Sequence, residues 1–375
     1  MRVAQIVKTP QRRGAEVFAL DLCRELERRG HETAVLYLYG HAGEAPLPLR
    51  PQDRVLGTDR TALERFPGFQ PALLRRLVRS LRAFRPDVVQ TNGSRSVKYG
   101  SLARRLARGS WPLVARVIGS PADWAGGAVK RRLYSRLVLS GFDGVIAVSR
   151  DTLEGLERCY GLDLPRAVIP RGVDPESVRA GSSRAEVRHA LGAEPEDPVL
   201  LFAGSLTPEK RPDRLLRVFA EVRAQLPASR LWIAGSGPMA EGLRARVETS
   251  ELNGAVAFVG VTERIGDLLG AADLLLLTSD TEGTPGVVLE AGLAGVPAVA
   301  PRVGGIPDCV LDGGTGLLVE PGNEEGLAAA AAELLLDPER RRSLGRAARA
   351  ATAERFGLRR VAEDVLRFYE ELLRG

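Results

Sequence analysis

The stretch from Ser279 to Ala291 holds the residues best suited to do chemistry. It reads Ser-Asp-Thr-Glu-Gly-Thr-Pro-Gly-Val-Val-Leu-Glu-Ala and follows an apolar run that is typical of a buried strand. Two glycines in it lack side chains where a helix begins, so free backbone N–H groups there suit phosphate or sugar oxygens. The pattern predicts a ligand-binding loop made of Gly283, Thr284, Pro285, Gly286 and Val287.

Two glutamates stand at either end of this loop, with seven residues between them. Glu290 is expected one turn inside the helix, placed to accept hydrogen bonds from a diol, while Glu282 lies on the loop. The alternative is that Glu282 caps the helix and Glu290 is solvated on the helix surface.

Two more glycine turns follow apolar runs. In the segment 204–213, Lys210 and Arg211 could neutralise a diphosphate just before a helix. The segment 235–240 formally matches a dinucleotide-binding pattern, but the next strand ends Phe258-Val259-Gly260 instead of in the acidic residue that would bind a ribose. We therefore disfavour a dinucleotide cofactor.

Composition excludes several classes of protein. The 375 residues are 44% hydrophobic and 27% charged, which argues against disorder, collagen and disulfide scaffolds. Three scattered cysteines and three histidines indicate a reducing compartment and no zinc site, and neither Asp-x-Asp nor a Walker motif occurs. We expect no metal, no cofactor, no membrane span and a cytoplasmic location.

Charge is distributed unevenly along the chain. Residues 1–170 contain 29 Lys and Arg against 16 Asp and Glu, whereas the remainder has a net charge of −7. This asymmetry predicts two domains, the first facing an anionic partner such as a phosphorylated acceptor, membrane lipid or nucleic acid; an Arg-rich composition is the alternative. The basic helix expected at Pro71–Phe84 is either a core helix, which we favour, or a membrane-surface helix.

Strand and helix patterns alternate from Val3 to Ile169 and again from Val199 to Val319. This rhythm predicts an α/β protein with two Rossmann-like, doubly wound parallel-sheet lobes facing a cleft. The expected boundaries are 1–172, 173–354 and a C-terminal helix at 355–375 that packs back on the first domain.

These motifs, in this order and spacing, resemble the retaining glycosyltransferases of family 4, which have the GT-B fold. The resemblance covers nearly the whole chain. It is carried by Arg13-Gly14-Ala15-Glu16, Asp143–Ser149, Val168–Asp174, Gly204–Lys210, Gly235–Pro238, the Glu282-to-Glu290 spacing, Gly304–Asp308 and Gly316–Val319.

The resemblance implies that the second lobe binds a nucleotide sugar and the first binds the acceptor. Glu290 would then hold the ribose, Lys210 the diphosphate, and Glu282 the transferred sugar near its anomeric carbon. Retention is ascribed to attack on the same face, with the leaving diphosphate assisting acceptor deprotonation and no metal required. Further donor contacts are implied for Gly14, Ser205, Arg211, Gly235, Gly237 and Val259.

The chain departs from the family pattern at three places. Ser205 replaces the usual Arg before the diphosphate lysine, so Arg211 or Arg13 is expected to supply the charge. Arg13-Gly14 stands where a glycine pair is usual. Asp123 stands near the position of a first-lobe His, either as an acceptor-side polar group or as a helix cap.

The resemblance implies transfer of a hexose, from a UDP- or GDP-sugar, to a hydroxyl of a glycan, a lipid-linked or a small-molecule acceptor. A non-catalytic nucleotide-sugar-binding protein is the alternative, as is a sugar epimerase or phosphorylase of related fold. Nucleic-acid binding is disfavoured because aromatic residues do not interleave the basic ones. An anionic membrane surface stays open as a partner of the basic first domain.

Overall fold

The computed structural model describes residues 1–40, 46–57, 70–119, 121–124, 127–161 and 163–375. These residues form two compact units. Unit 1 consists of Met1–Gly172 together with Leu358–Gly375, and unit 2 consists of Val173–Gly357.

A parallel sheet forms the centre of unit 1. Its described strands are β1 (Arg2–Val7), β2 (Glu32–Tyr37), β3 (Arg54–Val55), β4 (Val88–Asn92), β5 (Leu113–Val117), β6 (Gly144–Ala147) and β7 (Arg166–Val168). In space they run β3-β2-β1-β4-β5-β6-β7, and every pairing is parallel. The order in which successive strands join the sheet reverses between β1 and β4. Ligands bind beside such switch points in open α/β sheets.

Helices cover the faces of this sheet. They are α1 (Gly14–Arg28), α2 (Pro71–Phe84), α3 (Ser94–Ala107), α4 (Ala128–Leu137) and α5 (Arg150–Tyr160). In α2 the side chains of Leu73, Leu74, Leu77 and Leu81 are buried in the unit 1 core. The interpretation of α2 as a core helix is therefore confirmed.

Unit 2 repeats the architecture. Its described strands are β8 (Val199–Ala203), β9 (Arg230–Ala234), β10 (Val256–Gly260), β11 (Leu274–Leu276), β12 (Ala298–Pro301) and β13 (Gly316–Val319). They run β10-β9-β8-β11-β12-β13, again all parallel. Both faces of β8 are buried, which explains its uninterrupted apolar sequence Val-Leu-Leu-Phe-Ala. The switch point lies between β8 and β11.

The described helices of unit 2 are α6 (Arg184–Ala190), α7 (Pro212–Gln225), α8 (Ala240–Glu248), α9 (Ile265–Ala271), α10 (Gly286–Ala294), α11 (Ile306–Cys309), α12 (Glu324–Leu336) and α13 (Pro338–Phe356). The prediction of two doubly wound α/β lobes is confirmed at the level of each unit. None of the described helices combines the length and the apolar composition needed to cross a lipid bilayer.

The last helix, α14 (Leu358–Arg374), returns to unit 1. It buries one apolar face against β1, β4, β5 and α1, with Val361, Val365 and Phe368 among the buried side chains. The expected boundary at 354/355 was wrong by three residues, because α13 continues to Phe356, which is 3% exposed in the core of unit 2.

A buried hydroxyl fixes α14 on the sheet. Tyr369 Oη donates to Gln90 Oε1 (2.8 Å) and accepts from Gln5 Nε2 (3.3 Å), and these two glutamines lie on the central strands β4 and β1. Burial raises the pKa of Tyr369, so this hydroxyl stays a donor at neutral pH.

The Tyr369→Phe variant should lower the free energy of unfolding of unit 1 by about 1–2 kcal/mol, because two buried amides lose a partner. Urea unfolding measures the change. Tyr37→Phe is the matched control, since the Tyr37 hydroxyl is buried with no hydrogen-bond partner among the described residues. Its removal should be neutral or stabilising, and equal losses in both variants would contradict the assigned hydrogen bonds.

Candidate active site

Two loops at the carboxyl ends of β8 and β9 pack backbone against backbone. The Leu206 N–H donates to the Ser236 carbonyl at 2.9 Å. Gly235 has φ +132°, and a Cβ at this position would lie 1.9 Å from the Gly204 oxygen. A Cβ on Gly237 would lie 2.4 Å from the Leu206 oxygen. Glycine is therefore required at both positions by the close approach of the two loops.

The loop after β11 is attached to the loop after β8. The Thr278 hydroxyl donates to the carbonyls of Lys210 (3.1 Å) and Arg211 (3.0 Å), and the Asp280 N–H donates to the Glu209 carbonyl (2.9 Å). β8 and β11 are neighbours in the sheet, so their carboxyl ends bring together residues about seventy positions apart in sequence.

An ion pair joins these two loops. Lys210 Nζ donates to Glu282 Oε2 at 2.5 Å, and Ser279 Oγ donates to Glu282 Oε1 at 2.7 Å. The Glu282 side chain is 6% exposed and that of Lys210 is 25% exposed. Both carboxylate oxygens thus have a donor, as a buried carboxylate requires. The alternative that Glu282 caps a helix is wrong.

The loop after β12 supports the backbone of Glu282. The Gly305 N–H donates to the Glu282 carbonyl at 3.1 Å. Gly304 adopts φ +52°, and a Cβ there would lie 1.9 Å from the same carbonyl oxygen. Three loops, from β8, β11 and β12, therefore hold this glutamate.

Helix α10 begins directly after this loop. Gly286 is its first residue and Pro285 its N-cap, and no described side chain caps it. Its N-terminal N–H groups and the positive end of its dipole favour an anion. Glu290 lies one turn inside α10 and is half-buried.

Carboxylates hold Arg211 on both sides. Its Nε and Nη2 donate to Asp213 (3.0 Å each), and its Nη1 donates to Asp280 (3.1 Å). Hydrogen bonds from Arg211 lower the pKa of Asp213. Burial alone would raise the pKa of Asp280, but hydrogen bonds from Arg214 and Arg211 lower it overall. The charge of Arg211 is thus already compensated, so its expected replacement of the missing Arg at Ser205 stays a prediction.

The other predicted residues belong to other elements of the two units. Val259 is half-buried on β10, next to the unit 2 core. Gly14 begins α1 of unit 1, and Arg13 precedes it as an exposed N-cap. Asp123 belongs to a short 3₁₀ helix, Pro121–Trp124, but its side chain lies outside the described residues.

Sequence reasoning assigned no role to Ser279. Its position three residues before Glu282, in a loop after a strand, was the available signal. In the part of the chain that the structure describes, no group of three His, Cys, Asp or Glu side chains could hold a metal ion.

Comparison with known proteins identifies the family. Residues 12–177 match the family model described as Glycosyltransferase Family 4, and residues 183–351 match Glycosyl transferases group 1. A D-inositol 3-phosphate glycosyltransferase of Xylanimonas cellulosilytica is 32% identical, over 96% of this chain and 91% of that protein. The chain belongs to the family 4 glycosyltransferases.

Other relatives match part of the chain. A D-inositol 3-phosphate glycosyltransferase of Segniliparus rotundus is 35% identical over 240 residues, which is 62% of this chain. The chain spans about half the length of this relative and of those from Nocardia farcinica and Rhodococcus opacus (53%, 56% and 55%).

Solved structures agree on the fold. The Anabaena protein HepE, solved in complex with UDP-glucose, superposes with a TM-score of 0.83 at 21% identity, covering 99% of this chain and 100% of that one. With the two parallel-sheet α/β units, this likeness confirms the GT-B fold expected for a family 4 glycosyltransferase.

The Gly235→Ala variant should lower the free energy of unfolding of unit 2 by about 2–4 kcal/mol, because its Cβ meets the Gly204 carbonyl at a left-handed φ. Gly242→Ala in α8 is the matched control. Nothing lies within 4 Å of a Cβ there, so it should be neutral or stabilise by up to about 1 kcal/mol. Guanidinium unfolding measures the free energy of unfolding of both variants. Similar values for the two would contradict the described loop packing.

Proposed function

We propose that this protein is a retaining glycosyltransferase that moves a hexose from a UDP- or GDP-sugar to a hydroxyl group. The observation that carries the proposal is the Lys210–Glu282 pair at the β8/β11 switch point, beside the start of α10. It places a cation, a carboxylate and free helix N–H groups together, as cleavage of a sugar–diphosphate bond requires.

Positive charge at the site would stabilise the leaving group. The Lys210 side chain is a quarter exposed, so its ammonium group would reach a diphosphate while its loop stays fixed. The N-terminus of α10 and the backbone of residues 283–287 would bind further phosphate and sugar oxygens. These groups would place positive charge at the departing diphosphate, and on that ground we propose transfer without a metal ion.

Glu282 would stabilise the positive charge that develops on the transferred sugar. As the anomeric carbon–oxygen bond breaks, the sugar ring gains positive charge, and a carboxylate close to it lowers the energy of that state. Because Ser279 and Lys210 hold both of its oxygens, we assign Glu282 this electrostatic role instead of that of a covalent nucleophile. Glu290 would bind the ribose hydroxyls.

Retention follows from attack on the face that the diphosphate leaves. The acceptor oxygen would form its bond to the anomeric carbon on the same side, and its proton would pass to the leaving diphosphate. The bond from the anomeric carbon to the diphosphate and the acceptor O–H bond break, while a bond from the anomeric carbon to the acceptor oxygen and an O–H bond on the diphosphate form. The products are a glycoside with unchanged anomeric configuration and a nucleoside diphosphate.

The acceptor is assigned to unit 1. The net charge of +13 over residues 1–170 supports an anionic acceptor, and relatives named for D-inositol 3-phosphate point the same way. We propose a glycan, lipid-linked or small-molecule acceptor, with Gly14 on the donor side and Asp123 near the acceptor. A cytoplasmic location with peripheral docking on anionic lipid, and no nucleic acid partner, completes the proposal.

The Glu282→Gln variant should lower kcat by about 10²–10³-fold, because the developing ring charge loses its carboxylate. Turnover of UDP- and GDP-sugars is followed by nucleoside diphosphate release in EDTA. Glu209→Gln is the control: this exposed glutamate next to Lys210, on the loop after β8, carries the same charge, and its loss should leave kcat within about twofold.

Three outcomes would count against the proposal. Equal rates for Glu282→Gln and the native chain would remove Glu282 from the chemistry. Donor binding without any turnover would favour a non-catalytic nucleotide-sugar-binding protein. A product with inverted anomeric configuration, read by proton NMR, would exclude retention.

A further inference from the structure

Helix α4 turns its apolar side chains away from the protein. Of its ten residues, all of which the structure describes, Tyr134 is the one that is buried. Val129, Leu133 and Leu137 are 84%, 56% and 51% exposed. Residues four apart lie on one side of a helix, so these three form a continuous apolar line facing outward.

Cations border this line on both sides. Successive residues of a helix are about 100° apart, which places Lys130 on one flank of the line and Arg132 and Arg136 on the other. All three are exposed, and no acidic residue occurs between Trp124 and Phe142. Long basic side chains beside an outward apolar line are the pattern of a helix lying in a membrane interface.

The neighbouring helix α3 extends the positive surface. Its exposed Lys98 lies over the Tyr134 ring at 5.7 Å, and its Arg105 donates to the Ser140 hydroxyl at 3.0 Å. Both cations thus lie beside α4 or the turn that follows it.

On the other side, α5 carries acidic residues, and two of them form ion pairs. Glu154 pairs with Arg158 (3.3 Å) and Glu157 with Arg166 (2.8 Å). Asp151 is also exposed there. The side of α4 next to α3 is therefore the more positive one.

Helix α2 does not share this arrangement, although it has as many basic residues. Its leucines are buried in the core, and Arg76 and Arg82 donate to backbone carbonyls of residues 56 and 106. It presents charge without an outward apolar line. Helix α4 can therefore place apolar side chains among lipid acyl chains and cations at the headgroups, whereas α2 can offer only cations.

We propose that α4 is the helix by which this protein docks on an anionic lipid bilayer, with Val129, Leu133 and Leu137 among the acyl chains and Lys130, Arg132 and Arg136 at the phosphates. This inference names the surface for the peripheral membrane docking in the proposed function, and it rests on that proposed function. Charge complementarity selects the occupant: a basic rim around an apolar line fits anionic headgroups over hydrocarbon.

Vesicle flotation of the full chain, without nucleotide, tests the proposal. The native protein should float with vesicles that contain about 30% phosphatidylglycerol and not with pure phosphatidylcholine, and the bound fraction should fall as salt rises. The Val129→Ser/Leu133→Ser/Leu137→Ser variant should bind at least about tenfold more weakly. Because these side chains are exposed, the variant should melt no lower than the native protein.

Charge variants distinguish binding through the cations of α4 from binding through the overall positive charge of unit 1. The Lys130→Gln/Arg132→Gln/Arg136→Gln variant should bind about a hundredfold more weakly, about fivefold for each cation at the surface.

The matched control removes the same charge from α2, as Arg75→Gln/Arg79→Gln/Arg82→Gln. It should change vesicle binding by less than about threefold, since α2 has its leucines buried in the core and presents no outward apolar line.

Each of several results would overturn the proposal. These are no binding of the native chain to anionic vesicles, equal binding by the serine variant, or a greater loss in the α2 variant. Self-association abolished by the serine variant, without vesicle binding, would assign the line to a second copy of this chain. Turnover of a water-soluble acceptor is measured in parallel. If the protein keeps its activity but does not bind vesicles, only the docking surface is refuted. If it binds vesicles but has no activity, only the proposed transferase function is refuted.

Discussion

The half-buried ion pair between Lys210 and Glu282 is the interaction on which the candidate site depends. A carboxylate that is 6% exposed needs a donor on each oxygen, and Ser279 and Lys210 supply them. These contacts exist only because loops from β8, β11 and β12 converge, and their convergence needs glycines where backbones touch. A bound diphosphate would compete for the lysine, so donor binding and the environment of Glu282 are coupled through one ammonium group.

Much of the architecture could be predicted from the alternation of apolar strands with amphipathic helices. Helix α2 has the bounds, Pro71–Phe84, that its pattern indicated. Helix α3 was missed, because Ser96, Gly100 and Ser101 interrupt the apolar periodicity by which helices are recognised. The structure shows why small residues are needed there: a Cβ on Gly100 would lie 2.4 Å from Thr91 Cγ2 on the adjacent strand.

The site was predictable residue by residue but not as an arrangement. Lys210 and Glu282 each lie in a glycine-containing loop after a strand, and this local pattern is visible in the sequence of the chain alone. Their direct contact depends on β11 lying next to β8, although two strands separate them in the chain, and strand order is not encoded in local patterns. The orientation of α4 was equally hidden. An apolar line along a helix normally indicates its buried side, and only the exposure of Val129, Leu133 and Leu137 reverses that reading.

Calorimetric titration of UDP and of GDP into the native chain and the Lys210→Met variant, in EDTA, tests the central claim most directly. The account predicts that one of the two nucleotides binds with one-to-one stoichiometry and that its Kd rises about tenfold or more in the variant, because a charge-assisted contact to phosphate is lost. Binding of neither nucleotide to the folded chain, or the same Kd in both proteins, would contradict it.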